Sequence, residues 1–166
     1  MSIGLRPYLP GDAETLATIF VASIEQVACE DYDVDQIAAW TSKADDVTAF
    51  GARLAGQLTL VAAIDGETAG FVSLRGANQI DMLFVDPDAM GQGVATTLVD
   101  ALEKLAAARG VNQLKVDASD TAEPFFASRG YVPQQRNTIE IEGVWLANTT
   151  MMKPLAANDA GTGGRV

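Results

Sequence analysis

Apolar residues recur along the first third of the chain at helical intervals. In "DAETLATIFVASIEQV", Leu16, Ile19, Phe20, Ser23, Ile24 and Val27 fall on one helical face, and Asp12, after Pro10-Gly11, suits the N-cap. A second helix is predicted from "DVDQIAAW", where Asp33 and Gln36 stand three apart as a capping-box variant, and a short helical piece follows in "DDVTAFGARL". The period then shortens. "LTLVAAIDGETAGFVSLRG" holds two apolar runs joined by Asp65-Gly66, which suits a type I′ hairpin turn, and "QIDMLFV" is a third run. The next helix carries Val94, Leu98, Ala101, Leu102 and Leu105 at core spacing and stops at Gly110. "QLKVDAS" reads as a strand, "AEPFFASRG" as a short helix, and "NTIEIEGVWLANTTMM" as a second hairpin about Glu142-Gly143. The final "AANDAGTGGRV" is small, polar and glycine-rich, so one domain over 1–155 and a disordered tail over 156–166 are expected.

Antiparallel pairs at both ends of this order enclose one strand-helix-strand unit, whose two strands must run parallel. The fold class is therefore mixed α/β rather than doubly wound. A length of 166 residues fits a single core, and 48% hydrophobic with 20% charged residues is globular composition. No apolar run reaches the roughly 20 residues that span a bilayer, and "MSIGLRPYLPGD" places an arginine and a proline where a signal peptide needs apolar residues; a cytoplasmic protein is expected.

Charge and composition narrow the chemistry. The formal net charge of -11 disfavours nucleic acid and anionic membrane as partners; it serves solubility or attracts a cationic amine. The chain has no histidine, which removes the histidine-based nucleophile systems and the commonest general base. Cys29 is the single cysteine, so neither an internal disulfide nor a metal-ligand spacing is available, and no metal is expected. With no His or nearby Lys to lower its pKa, Cys29 reads as a small buried hydrophobe.

"DPDAMGQGVATT" links the third strand to the long helix. A loop entering a helix N-terminus gathers unpaired N–H groups and the positive end of the helix dipole, so it binds anions, phosphates above all. It contains no Lys or Arg, so an anion there would rest on backbone N–H groups and the hydroxyls of Thr96 and Thr97. A P-loop lacks its "GKS" or "GKT". A dinucleotide fingerprint has Gly91 and Gly93 but Thr96 in the third glycine's place, although Asp117 follows about a strand later as that reading requires.

The stretch "LFVDPDAMGQGVATTLVDALEKLAAARG" resembles the acyl-CoA-binding segment of the GNAT superfamily of N-acyltransferases, whose signature is Gln or Arg, two variable residues, Gly, one variable residue, then Gly or Ala. Here it reads Met90-Gly91-Gln92-Gly93-Val94-Ala95, with Met90 in place of the usual Gln or Arg. The likeness extends through "GETAGFVSL" and "QIDMLFVDPD" to "AEPFFASRGYVP", and over roughly 4–153 in element order. It implies a GNAT-like fold, a mostly antiparallel twisted sheet with one parallel pair and helices on both faces. It implies acetyl-CoA as co-substrate, with the pyrophosphate on residues 90–96 (Met90 to Thr96, Gln92 and Val94 included). It also implies that the pantetheine arm pairs with Leu83, Phe84 and Val85, and that Phe125 and Phe126 border the cofactor. Phe126 stands where many members place the tyrosine that protonates the departing thiolate.

The function implied is transfer of acetyl to a primary amine of a small-molecule or peptide acceptor by direct attack. A non-catalytic acyl-CoA sensor and a dinucleotide-binding oxidoreductase are the alternatives. Assembly as a homodimer is left open. Asp81 is the nearest carboxylate on the strand that would hold the pantetheine, and strict alternation puts it on the face of Leu83, as a base acting through water. Tyr131 and Tyr32 are candidates for the acid, and Asp31, Tyr32 and Trp40, between the first two helices, for the acceptor pocket.

Overall fold

The computed structural model describes residues 2–155; the expected tail over 156–166 lies outside them. Seven strands form one sheet: β1 (Ile3–Pro7), β2 (Leu58–Ile64), β3 (Glu67–Arg75), β4 (Gln79–Val85), β5 (Gln113–Ser119), β6 (Val132–Ile141) and β7 (Val144–Pro154). Their spatial order is β1-β2-β3-β4-β5-β7-β6, and every neighbouring pair is antiparallel except β4 and β5. The helices α1 (Ala13–Gln26), α2 (Val34–Thr41) and α3 (Val47–Ala55) precede β2, α4 (Val94–Ala108) joins β4 to β5, and α5 (Glu123–Ser128) follows β5.

The sheet separates two cores because successive strand residues face opposite ways. Val61, Phe71 and Met82 pack with Leu16, Phe20, Phe50 and Leu54 of α1 and α3. Val72, Ile80 and Leu114 pack with Leu98 and Leu102 of α4 and Phe126 of α5. Mixed α/β architecture with helices on both faces follows, as the spacing of apolar residues implied. Both hairpins turn where expected, with Asp65 and Gly66 at φ 51° and 88°, Glu142 and Gly143 at 51° and 78°. The α2 capping box is formed: Asp33 Oδ1 accepts from Gln36 N at 2.8 Å and Gln36 Oε1 from Asp33 N at 2.9 Å.

Three local expectations fail, and one strand was not anticipated. Asp12 stands at the N-cap position of α1 but its side chain makes no capping bond; a 3-10 turn over Pro10–Asp12 carries the helical path in earlier, and the Asp12 carboxylate accepts from Leu9 N and from both terminal nitrogens of Arg6, each at 2.8 Å. Leu105 is 39% exposed, because α4 presents Leu98, Leu102 and Ala106, spaced by four, to the sheet. Cys29 is exposed, in the short turn after α1. Strand β1, with a glycine and a proline among five residues, has no legible apolar alternation; pairing of Ile3 to Pro7 along β2 makes it a strand.

Candidate active site

Strands β4 and β5 pair only through Gln79 with Lys115 and Ile80 with Val116, then part. Beyond that point β4 stays on β3, with Leu83 opposite Val72 and Val85 opposite Gly70, while β5 follows β7, with Ser119 opposite Asn148. The β5-facing backbone of Leu83, Phe84 and Val85 is thus left without a strand partner, beside a cleft of about 310 Å³ that passes between the strands. Gly70 permits this geometry. A Cβ there would lie 2.8 Å from Phe84 O and 3.1 Å from Val94 Cγ1, so any side chain would push β4 and the start of α4 away.

At the open end of the cleft β4 leads into the glycine loop. Gly93 is the N-cap of α4 at φ 86°, in the left-handed region. Among the described residues, none of the six consecutive N–H groups from Gly91 to Thr96 has an acceptor, the first backbone bond of the helix being Thr97 N to Gly93 O at 3.0 Å. Six free donors at the positive end of a 15-residue helix are suited to receive an anion. The Thr97 hydroxyl, expected to help, donates instead to Gly93 O at 2.8 Å, whereas Thr96 is exposed.

Between these ends the β3–β4 register slips: Ser73 opposes Met82 and Leu74 opposes Ile80, leaving Asp81 as a β-bulge. The bulge breaks strict alternation, so Asp81 does not share a face with Leu83. Leu83 packs on the α4 side and Asp81 turns to α3. Its side chain is only 7% exposed; Oδ2 accepts from Arg53 Nε and from Gln57 Nε2 and Oδ1 from Arg53 Nη2, each at 2.9 Å, with Arg75 Nη1 at 3.5 Å from Oδ1. Burial by itself would raise the Asp81 carboxyl; the hydrogen bonds from Arg53 and Gln57 and the charges of Arg53 and Arg75 outweigh it and hold the group below the ordinary carboxylate range. Lys43 stands at the same end, its ammonium drawn below the usual lysine value by burial and by Arg53.

A splayed parallel pair beside a run of free amides is the arrangement that the resemblance implied, and residues 28–153 match the model of the acetyltransferase (GNAT) domain family. The chain belongs to the GNAT acetyltransferase family. It is 37% identical over 150 residues to the uncharacterized N-acetyltransferase YafP of Escherichia coli (strain K12), spanning 90% of this chain and 95% of that one. A crystal structure of a GCN5-related N-acetyltransferase from Rhodopseudomonas palustris is 60% identical, with a TM-score of 0.91 over 93% of this chain and 97% of that one. The N-acetyltransferase PaiA from Thermoplasma acidophilum, solved in complex with coenzyme A, shares the fold at 17% identity and TM-score 0.76, covering 93% and 99% of the two chains. The dinucleotide reading falls with this assignment.

In the acetyltransferase the cleft brings together Asp81, Leu83, Phe84, Tyr32, Trp40 and Phe126. Two expected members stand apart. Tyr131 lies outside the cleft in the α4-side core, where its hydroxyl donates to Glu103 Oε2 at 2.8 Å and its ring packs edge-on against Phe126 with centroids 5.1 Å apart. Burial and then the Glu103 charge push its pKa far above the ordinary tyrosine value, so it holds its proton firmly. Asp31 is exposed and accepts from Thr121 Oγ1 at 2.7 Å, away from the cleft. Val85 and Phe125 border the cleft region without lining it, Phe125 stacked edge-on to Phe126 at 5.2 Å. Tyr32 lines the cleft with its hydroxyl fully engaged, donating to Ala147 O at 2.9 Å and accepting from Asp120 N at 2.9 Å, so it ties α2's approach to β7 and the β5–α5 turn. Sequence reasoning missed Lys43, Arg53, Arg75 and Asn148 because they are distant along the chain and carry no local signature; only Arg53 and Gln57, four apart on and just after α3, could have suggested a shared carboxylate partner.

Proposed function

We propose that this acetyltransferase binds acetyl-CoA with its pyrophosphate on the amides of residues 91–96 and its pantetheine along Leu83, Phe84 and Val85, and passes the acetyl group directly to a primary amine. The carrying observation is the unpaired backbone of β4 opening onto the free amide cradle. An extended pantetheine adds to such an edge as a peptide adds to a sheet. The acceptor enters from the α1–α2 side, between Phe20, Tyr32 and Trp40. Its neutral amine attacks the thioester carbonyl carbon, a backbone N–H near the bulge stabilises the oxyanion, and the C–S bond breaks with the electron pair leaving on sulfur. The ammonium proton of the adduct passes to water. With Asp81 committed to Arg53 and Gln57, that carboxylate acts as a positioning residue, and base catalysis falls to solvent water. A thiolate of pKa near 8.5 leaves without a dedicated acid, which suits Phe126 in the place where many family members carry a tyrosine.

Calorimetric titration with CoA, followed by assay of thiol release from acetyl-CoA over a panel of primary amines, tests this reading. CoA binding in the micromolar range and thiol release dependent on an amine are expected. CoA binding with no turnover on any amine would instead favour an acyl-CoA sensor, the reading that the missing tyrosine supports.

A further inference from the structure

The acceptor end of the cleft carries the opposite sign to the rest of the molecule. Three of the chain's eleven basic residues, Lys43, Arg53 and Arg75, line it, against the carboxylates of Asp81 and Asp117, although the chain as a whole carries a formal charge of -11. Arg53 is satisfied by its two-pronged contact with Asp81. Arg75 is not: it reaches Asp81 only at 3.5 Å, on an oxygen that already accepts from Arg53, and it makes no hydrogen bond among the described residues. Lys43 has neither a hydrogen bond nor an ion pair among them. Asp117 accepts from Thr150 Oγ1 at 2.6 Å and does not compensate either cation. Lys43 and Arg75, both solvent-exposed at their outer ends, with Arg75 59% exposed, thus line one cleft without a full protein partner of their own, while the adjoining walls, Phe20, Trp40 and Met82, are apolar. A carboxylate is the group that such donors receive best.

Resting on the acetyl-transfer reading above, we propose that the acceptor is a primary amine with an apolar body and a carboxylate, the carboxylate held by Lys43 and Arg75 while Arg53 stays clasped to Asp81. The subsite would select against polyamines and other purely cationic amines, reversing the preference that the overall charge suggests.

Matched acceptors that differ only in this charge decide the matter: L-phenylalanine against L-phenylalaninamide, and 4-(aminomethyl)benzoic acid against its amide, the second pair setting amine and carboxylate further apart. For at least one pair, kcat/KM for thiol release should favour the acid by about tenfold or more at low ionic strength, shrinking in salt. The preference should collapse in Lys43→Gln with Arg75→Gln and invert in Lys43→Glu. A binding readout independent of turnover is the fluorescence of Trp40 in a Trp145→Phe background, with CoA present, on addition of the same acids and amides. Faster turnover of both amides, or equal rates and equal binding that the variants leave unmoved, overturns the acceptor class while acetyl transfer stands. Preferential binding of an acid with no thiol release from any amine keeps the anionic subsite and overturns the transferase reading. Failure of both acids to bind or react overturns the subsite.

Discussion

At the scale of single residues, Asp81 is where structure most changes the chemistry. Spacing along β4 makes it the natural base. A carboxylate that accepts three hydrogen bonds from Arg53 and Gln57 and faces Arg75 is ionised throughout the working range and is a weak base. The pH profile of kcat/KM should therefore rise with the deprotonation of the acceptor amine, with no limb in the acidic carboxylate range, and Asp81→Asn should keep that shape. Its effect should appear in stability. A folded-state pKa below the unfolded value of about 3.9 contributes stability that is present above that value and is lost as pH falls through the folded one. Denaturant unfolding at pH 7 should find Asp81→Asn destabilised by roughly 1–3 kcal/mol, the scale of charge-assisted hydrogen bonds, and the gap should narrow as pH falls below about 4. A hundredfold loss of turnover with a displaced pH limb would restore Asp81 as the base.

At the scale of elements, the glycine loop and α4 act as one unit. Gly93 sits at φ 86° with nothing within 4 Å of the point a Cβ would occupy, so a side chain there strains the backbone and enters open space at the loop that would hold the pyrophosphate. Gly93→Val should weaken CoA binding by a few kcal/mol, the loss of one or two charge-assisted hydrogen bonds, and lower stability by roughly 1–3 kcal/mol. Gly93→Asn, whose side chain tolerates the left-handed region, should restore most of the stability but not the affinity. Thermal unfolding paired with calorimetric CoA titration separates the two effects. If Gly93→Val binds CoA like the parent, the cradle is structural and the cofactor lies elsewhere. The elements themselves were largely legible, since amphipathic spacing, the Asp33–Gln36 box and the Asp65-Gly66 turn are local. Strand β1 and the early entry into α1 were not, because each depends on partners far off or just outside the periodic segment.

At the scale of the whole molecule, Tyr131 marks how the α4 side is closed. Its hydroxyl reaches Glu103 on α4, which also receives Lys153 Nζ from β7 at 2.9 Å, so one carboxylate joins the long helix to the sheet. A tyrosine whose folded pKa is raised contributes stability that is full below the unfolded value of about 10 and is lost as pH rises towards the folded one. Alkaline titration followed at 295 nm should show that at least one tyrosine's absorbance appears only together with the loss of the circular dichroism signal, and Tyr131→Phe should remove the share that belongs to Tyr131. Gradual ionisation of every tyrosine near pH 10 in the folded protein would contradict the placement.

The periodicity of apolar residues determined the mixed α/β class and the strand-helix-strand unit, because burial of one face depends only on local spacing. The loop "DPDAMGQGVATT" likewise foretold free amides, since glycines before a helix free the same N–H groups wherever the helix packs. Whether a side chain in this cleft is free to react was decided by tertiary structure alone. A one-residue bulge turned Asp81 toward α3, a core contact with Glu103 withdrew Tyr131, and three cations from α3's neighbourhood and β3, Lys43, Arg53 and Arg75, came to line one cleft. Partner identity, not residue type, sets the protonation and availability of a charged group, and partners are assigned only when the chain closes on itself.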